Sequence, residues 1–284
     1  MRSTTECVAN RKHYIMSLLV KSYNYLEEYL DSLRAKGRYA FSLEEAKEKF
    51  ELSDKALNQN LFRLKLKKKI VQVRKGFYAI IPPEYAAQGV IPYSLFIDDM
   101  MKTLGRKYYV GLISAAAIHG AAHQQPMESF IIIEKPALRN IKNKKLKINF
   151  FVKTGWLEDD IIQTKTDAGY INVSSPELTA LDLLYYIKNT GINRTASILR
   201  ELVEEIKPGK LQKTAKSYSQ VAAIQRLGYL LDAHLKNEQL SEAILKALTE
   251  KRPLVVPLVP GREVRGEVNT KWKIIPNAQI ETDI

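Results

Sequence analysis

SLEEAKEKFELSDKALNQNLFRLKLKKKIVQVRKGFYAII, residues 42–81, reads as two helices, a basic turn and a short β-ribbon, the layout of a winged helix-turn-helix. Ser42 caps the first helix, and Glu45 three residues on completes a capping box. Ser53 caps the second helix, which the pattern extends to about Lys68. Along it Leu57, Leu61 and Leu64 fall at i, i+4 and i+7, one apolar stripe to be buried. Lys55, Asn58, Gln59, Phe62 and Arg63 then lie outside the stripe. Asn, Gln and Arg are the side chains that make paired hydrogen bonds to base edges in a major groove. After Lys67, Lys68 and Lys69, the segment Ile70 to Val73 alternates like a strand, Arg74-Lys75-Gly76 turns, and Phe77 to Ile81 returns. The expectation is a DNA-binding module. Lys55, Asn58, Gln59 and Arg63 would lie nearest the bases, and Lys67, Arg74 and Lys75 would grip phosphate.

Outward from this module, His13 to about Lys36 has helical apolar spacing and stops at Gly37. Pro82-Pro83 closes the module. The chain divides into a DNA-binding domain over 1–81, a linker over 82–92 and a C-terminal domain over 93–284. In the C-terminal part, Tyr93 to Leu104 reads as helix, and YYVGLISAAAIHGAA (Tyr108 to Ala122) as a tightly packed helix. Strands are expected at Phe130 to Ile133, Leu146 to Val152 and Gly169 to Val173. Ser175-Pro176-Glu177 starts a helix running to about Lys188, with Ser as cap and Pro at the first position. Further helices are expected at 194–206, 218–235 and 239–250, with strand-like pieces at Leu254 to Val259 and Lys271 to Ile275. The fold class is mixed α+β, a winged helix-turn-helix followed by a larger mixed α/β domain.

A length of 284 residues suffices for two domains, each with its own core. No apolar run approaches the roughly 20 residues that span a bilayer. The polar opening Arg2, Ser3, Thr4, Thr5, Glu6 carries no visible secretory signal. A single cysteine, Cys7, excludes an internal disulfide and a cysteine-based zinc site, so a cytoplasmic setting is expected. Net charge is +13; residues 1–81 hold 17 Lys+Arg against 9 Asp+Glu, a balance of +8, and the remainder only +5. Basic excess concentrated in the winged module is the electrostatic footprint of a nucleic-acid binder. The plainer alternative is a basic protein whose lysines are solvated surface. Residues 135–153 hold seven basic residues and no acidic one, while 156–206 hold nine acidic and four basic. Each run is either a solvated surface or a contact, the first for nucleic acid and the second for a partner.

Catalytic constellations find no support, and no catalytic residue, metal ligand or cofactor is assigned. His119 and His123 are four apart, but Gly120 follows the first, so the H-E-x-x-H metal pattern is missing. Ser114 sits in I-S-A-A rather than G-x-S-x-G. Neither glycine-rich phosphate loop is present. The adjacent pairs Asp159-Asp160 and Glu204-Glu205 point to different faces and make poor metal clamps. Gln225-Arg226-Leu227-Gly228-Tyr229-Leu230-Leu231-Asp232 is a compact signature within a helix. A glycine there costs roughly 1 kcal/mol relative to alanine, so close helix packing is its plain explanation.

These segments together resemble the AbiEi family of antitoxins from type IV toxin–antitoxin (abortive infection) systems. The resemblance rests on Arg74-Lys75-Gly76-Phe77-Tyr78, Tyr109-Val110-Gly111, Ser114-Ala115-Ala116 and His119-Gly120. It continues through Val173-Ser174-Ser175-Pro176-Glu177, Thr179-Ala180-Leu181-Asp182, the Gln225 to Asp232 signature, Trp272 and Asn277. It implies an N-terminal domain that binds inverted repeats in the promoter of its own operon and represses it. It also implies a C-terminal domain that counteracts a nucleotidyltransferase-like toxin without a stable complex. Ser114, His119, Asp182, Arg226 and Asp232 are the candidates for antitoxicity, with formation of the domain core as the competing explanation of these motifs. Two other readings stay open from the residues alone: a nucleic-acid-processing enzyme, and a ligand-sensing transcriptional regulator, each targeted by the winged helix.

Overall fold

The computed structural model describes residues 25–50, 52–89, 91–122, 126–143 and 146–280. The start of the helix expected from His13, together with Cys7, His123, Lys144 and Lys145, lies outside the described residues. The chain is mixed α+β and clusters into two compact units. One takes the chain up to Arg106 together with Lys165–Tyr170; the other takes Lys107–Thr164 and Ile171–Ile284.

The N-terminal unit opens with α1 (residues 25–35). It continues through β1 (Ala40–Ser42), α2 (Leu43–Lys49), α3 (Asp54–Leu66), β2 (Ile70–Arg74) and β3 (Phe77–Ile80). The strands form an antiparallel sheet in the order β1-β3-β2, and α2–α3 is the helix-turn-helix of a winged helix. Its core gathers Leu26, Leu30 and Leu33 of α1 with Phe41, Leu57, Leu61, Leu64, Ile70, Tyr78 and Ile80. Ser42 accepts a hydrogen bond from the Glu45 backbone N–H at 2.9 Å, and Ser53 accepts from Ala56 at 3.3 Å, so both expected caps form. The return arm of the capping box does not form, because Glu45 is taken by Arg38 (2.7 and 3.0 Å) and by the Tyr29 hydroxyl (2.9 Å). At the wing tip Gly76 has φ +74°, a conformation open to glycine, and its carbonyl accepts from Leu43 N–H at 2.7 Å. The segment expected to be helical from Tyr93 is a short 3-10 turn (Tyr93–Leu95) followed by α4 (Ile97–Thr103).

The larger unit is built on a six-stranded sheet in the order β6-β7-β5-β4-β9-β8. Its strands are β4 (Tyr108–Val110), β5 (Ser129–Ile133), β6 (Ile141–Lys142), β7 (Lys147–Val152), β8 (Ile161–Thr166) and β9 (Gly169–Ser174). The stretch read as one helix from Tyr108 to Ala122 is β4 followed by α5 (Leu112–Ile118). Gly111 separates them: a Cβ there would lie 2.8 Å from Ile132 Cγ1, so the residue between strand and helix must be small. The helix expected to start at Pro176 is α6 (Pro176–Tyr185), followed by α7 (Ile187–Thr190) and α8 (Ile192–Leu202). Then come α9 (Pro208–Ser217), α10 (Val221–Tyr229) continued by a π-turn (Leu230–His234), and α11 (Glu238–Leu248). Two short parallel strands, β10 (Val256–Pro257) and β11 (Ile274–Ile275), tie down the tail. Sheet and helices share one core that includes Tyr109, Ile132, Leu181, Leu199, Leu227, Ile244 and Trp272.

Candidate functional site

Helix α3 presents two unlike faces. Leu57, Asn60, Leu61 and Leu64 are buried, so Asn60 joins the leucine stripe. Lys55, Asn58, Gln59 and Arg63, the expected base-facing residues, are all exposed on the opposite side. Among the described residues no ion pair involves Lys55, Arg63 or Lys75, although Lys47 pairs with Asp54 at 2.8 Å. Lys67 is exposed but lies 3.6 Å from Glu27, which Lys69 also meets at 2.6 Å. Arg74 is half-buried at the wing and Lys75 is exposed beside it. Thus one rigid helix, fixed by its stripe and its serine cap, holds two amides and two cations toward solvent. The wing and the end of α3 add further cations.

The larger unit brings together a different group, around Asp182 of α6. Its carboxylate is fully buried and accepts hydrogen bonds from Tyr109 Oη, Lys153 Nζ and Tyr218 Oη, each at 2.6 Å. Lys153 is 7% exposed and its ammonium lies 4.2 Å from the centre of the Tyr218 ring. Burial, and then the neighbouring Asp182 charge, pushes the Tyr109 and Tyr218 hydroxyls far above the usual phenol range, so both remain donors. A cavity of about 310 Å³ lies beside this group, lined by Lys153, Trp156, Asp160, Leu178, Tyr218 and Ser219 among others. Burial raises the Asp160 carboxyl there, opposed by the hydroxyl of Thr214 at 2.6 Å. Tyr218 does not stand out in the sequence, and Tyr109 and Lys153 appear there only within the Tyr109-Val110-Gly111 motif and the basic run 135–153. Lys153, Tyr109 and Tyr218 lie 29, 73 and 36 residues from Asp182, and only the fold brings them together. Lys153 gives one clue, as the last cation of a basic run that ends on an apolar strand.

The other expected antitoxicity residues do not converge on Asp182. Ser114 Oγ accepts the Phe130 backbone N–H at 3.0 Å, and His119 Nε2 meets the Ser174 carbonyl at 2.7 Å. Both tie α5 to neighbouring strands. In the Gln225 to Asp232 signature, Gln225 donates to the carbonyls of Leu254 (2.8 Å) and Trp272 (2.9 Å). Arg226 donates twice to the Pro257 carbonyl at 3.2 Å, and burial lowers its guanidinium below its usual range. Asp232 accepts from Trp272 Nε1 at 2.8 Å and pairs with Lys271 at 2.9 Å, which together hold its carboxyl below its usual range. Gly228 completes the clamp: a Cβ on it would sit 2.0 Å from the Trp272 ring. The signature therefore fastens the tail to α10. Among the described residues no group of three or more His, Cys, Asp or Glu is placed to hold a metal ion.

Among solved structures the chain is similar to one described as the crystal structure of the RV2827C protein from Mycobacterium tuberculosis. The two share 16% identity and a TM-score of 0.59, over 88% of this chain and 90% of that one, a likeness of fold. No curated protein matches the chain. Residues 109–233, which hold the Asp182 group and the Gln225 to Asp232 signature, match the family model described as AbiEi antitoxin C-terminal domain. Residues 109–233 thus form an AbiEi antitoxin C-terminal domain, a domain of toxin–antitoxin systems.

Proposed function

We propose that this antitoxin represses its own operon through the winged helix and counteracts a nucleotidyltransferase-like toxin through its C-terminal domain. One observation carries the repressor half: Lys55, Asn58, Gln59 and Arg63 share the exposed face of a helix whose other face is buried. In this reading α3 enters the major groove of promoter repeats, with the two amides and Arg63 on base edges. Lys67, Arg74 and Lys75 take phosphates on either side. The antitoxin half rests on the family match over residues 109–233. Ser114, His119, Asp182, Arg226 and Asp232 then serve it by fixing the shape of the domain that meets or opposes the toxin. As the family resemblance implies, antagonism proceeds without a stable complex.

The test is a titration of the full chain against its own promoter and against a random duplex, over a range of salt. The promoter should bind at least about a thousandfold more tightly, the low end of the usual ratio of specific to random binding. Combined Arg74→Ala and Lys75→Ala should weaken both duplexes alike and reduce the salt slope by about 1 for each phosphate that is no longer neutralised. Equal affinity of the wild type for both duplexes would defeat the repressor reading. Coexpression of that same variant with the product of the adjacent gene separates the two halves: relief of toxicity should persist.

A further inference from the structure

The exposed face of α3 is not wholly polar. Phe62 is 55% exposed and Leu66 68% exposed. At about 100° per residue, Lys55, Phe62 and Leu66 run down the middle of that face. Asn58 lies on one flank, and Gln59 and Arg63 on the other. Phe62 stands one turn beyond Asn58 and Gln59, so a surface that meets both amides also meets the ring. The charge around it favours a nucleic acid over an apolar partner: α3 carries Asp54 as its one carboxylate against Lys55, Arg63 and Lys65. Lys65 Nζ itself lies 5.9 Å from the centre of the Phe62 ring. On the floor of a major groove, the apolar group within reach of such a ring is the C5-methyl of thymine.

We infer that Phe62 is a specificity-determining residue that reads thymine, its ring packed on the C5-methyl group, with Leu66 extending the apolar surface along the groove. This deepens the proposed DNA-binding role of α3 and rests on it. It assigns one element of the operator, a thymine beside the bases met by Asn58 and Gln59. It also gives a large apolar side chain on a solvent-facing helix a use that its exposed position does not otherwise supply.

The test needs only the full chain and a duplex that it selects from a randomised pool, resynthesised with deoxyuridine replacing each thymine in turn. Base pairing is kept and the methyl alone is removed. Wild type should bind about fourfold more weakly at one or two specific positions, the equivalent of burying one methyl-sized group. Phe62→Ala should bind the thymine duplex with the same weakening, ignore deoxyuridine at those positions, and bind random duplex as wild type does. Because Phe62 is exposed and alanine favours helix, the variant should melt with the wild type. Selection of a sequence whose methyls make no difference overturns the Phe62 assignment alone. Failure to select any sequence sinks the base-reading role of α3, and the inference with it. A methyl penalty that persists in Phe62→Ala overturns the assignment. So does a wild-type dimer that this variant dissolves while the penalty stays, which would give the face to a second copy of the chain.

Discussion

The two units of this chain use their conspicuous polar residues in opposite ways. On α3, Lys55, Asn58, Gln59 and Arg63 are exposed to solvent. In the larger unit, Asp182, Lys153, Gln225 and Arg226 are buried and direct their hydrogen bonds to other parts of the same domain. Polar groups without internal partners are available to a ligand, whereas buried groups with a full set of partners hold elements in register. Both kinds stand out equally in a sequence. Burial is what separates a reader from a brace.

The contrast is most exposed to test at Asp182. Asp182→Ala strands the buried Lys153 ammonium and two tyrosine hydroxyls, and should cost about 3–5 kcal/mol in urea unfolding. A cost below about 1 kcal/mol together with abolished antitoxicity would make Asp182 a contact residue and break the comparison. On α3 the opposite pattern is expected. Asn58→Ala or Gln59→Ala should cost about 1–3 kcal/mol of discrimination between promoter and random duplex, and leave the melting temperature nearly unchanged. Asp232 sharpens the middle ground, since its carboxylate is partly exposed yet holds Trp272 and Lys271. Asp232→Ala should lower stability by about 1 kcal/mol, read from the same unfolding curves.

The smallest effect belongs to Glu45, a brace inside the N-terminal unit. Burial pushes its carboxyl up, but hydrogen bonds from Arg38 and Tyr29 outweigh that and leave it below the ordinary glutamate value of 4.5. The folded state then holds fewer protons than the unfolded chain over the window below 4.5. Stability is therefore fully present above that value and drains away as the pH falls through the lowered one. Glu45→Gln should flatten this acid limb in thermal melts between neutral and acid pH, with little change in DNA binding at neutral pH. An unchanged limb would remove Glu45 from the braces.

How much of this can be read from sequence depends on the range of the signal. The caps Ser42 and Ser53, the leucine stripe and the wing turn are all local patterns, and the winged helix follows from them. Ambiguity begins where the chain is apolar on every side. Tyr108 to Ala122 fits a buried strand as well as a helix, and only the approach of Ile132 to Gly111 fixes the break. Strand β8 is hard to see because Ile161–Thr166 is largely exposed and carries a weak alternation. Helix α9 is hidden although Pro208 stands at its first turn, because Gly209 and a run of polar residues follow. The assembly of the Asp182 group leaves no local pattern, although Asp182, Tyr109 and Lys153 each fall in a noted segment, since its members come from four separate elements or loops.

Both tryptophans of the chain, Trp156 and Trp272, belong to the larger unit. Trp272 lies on Gly228 with its indole N–H on Asp232, and Trp156 meets the edge of Tyr109 with ring centres 4.8 Å apart. Tryptophan emission from the native protein is thus a private signal of that half, one indole reporting release of the tail and the other loosening around the Tyr109 ring. If DNA binds the winged helix as proposed, any response of the larger unit can be sought in that light, with no dye attached.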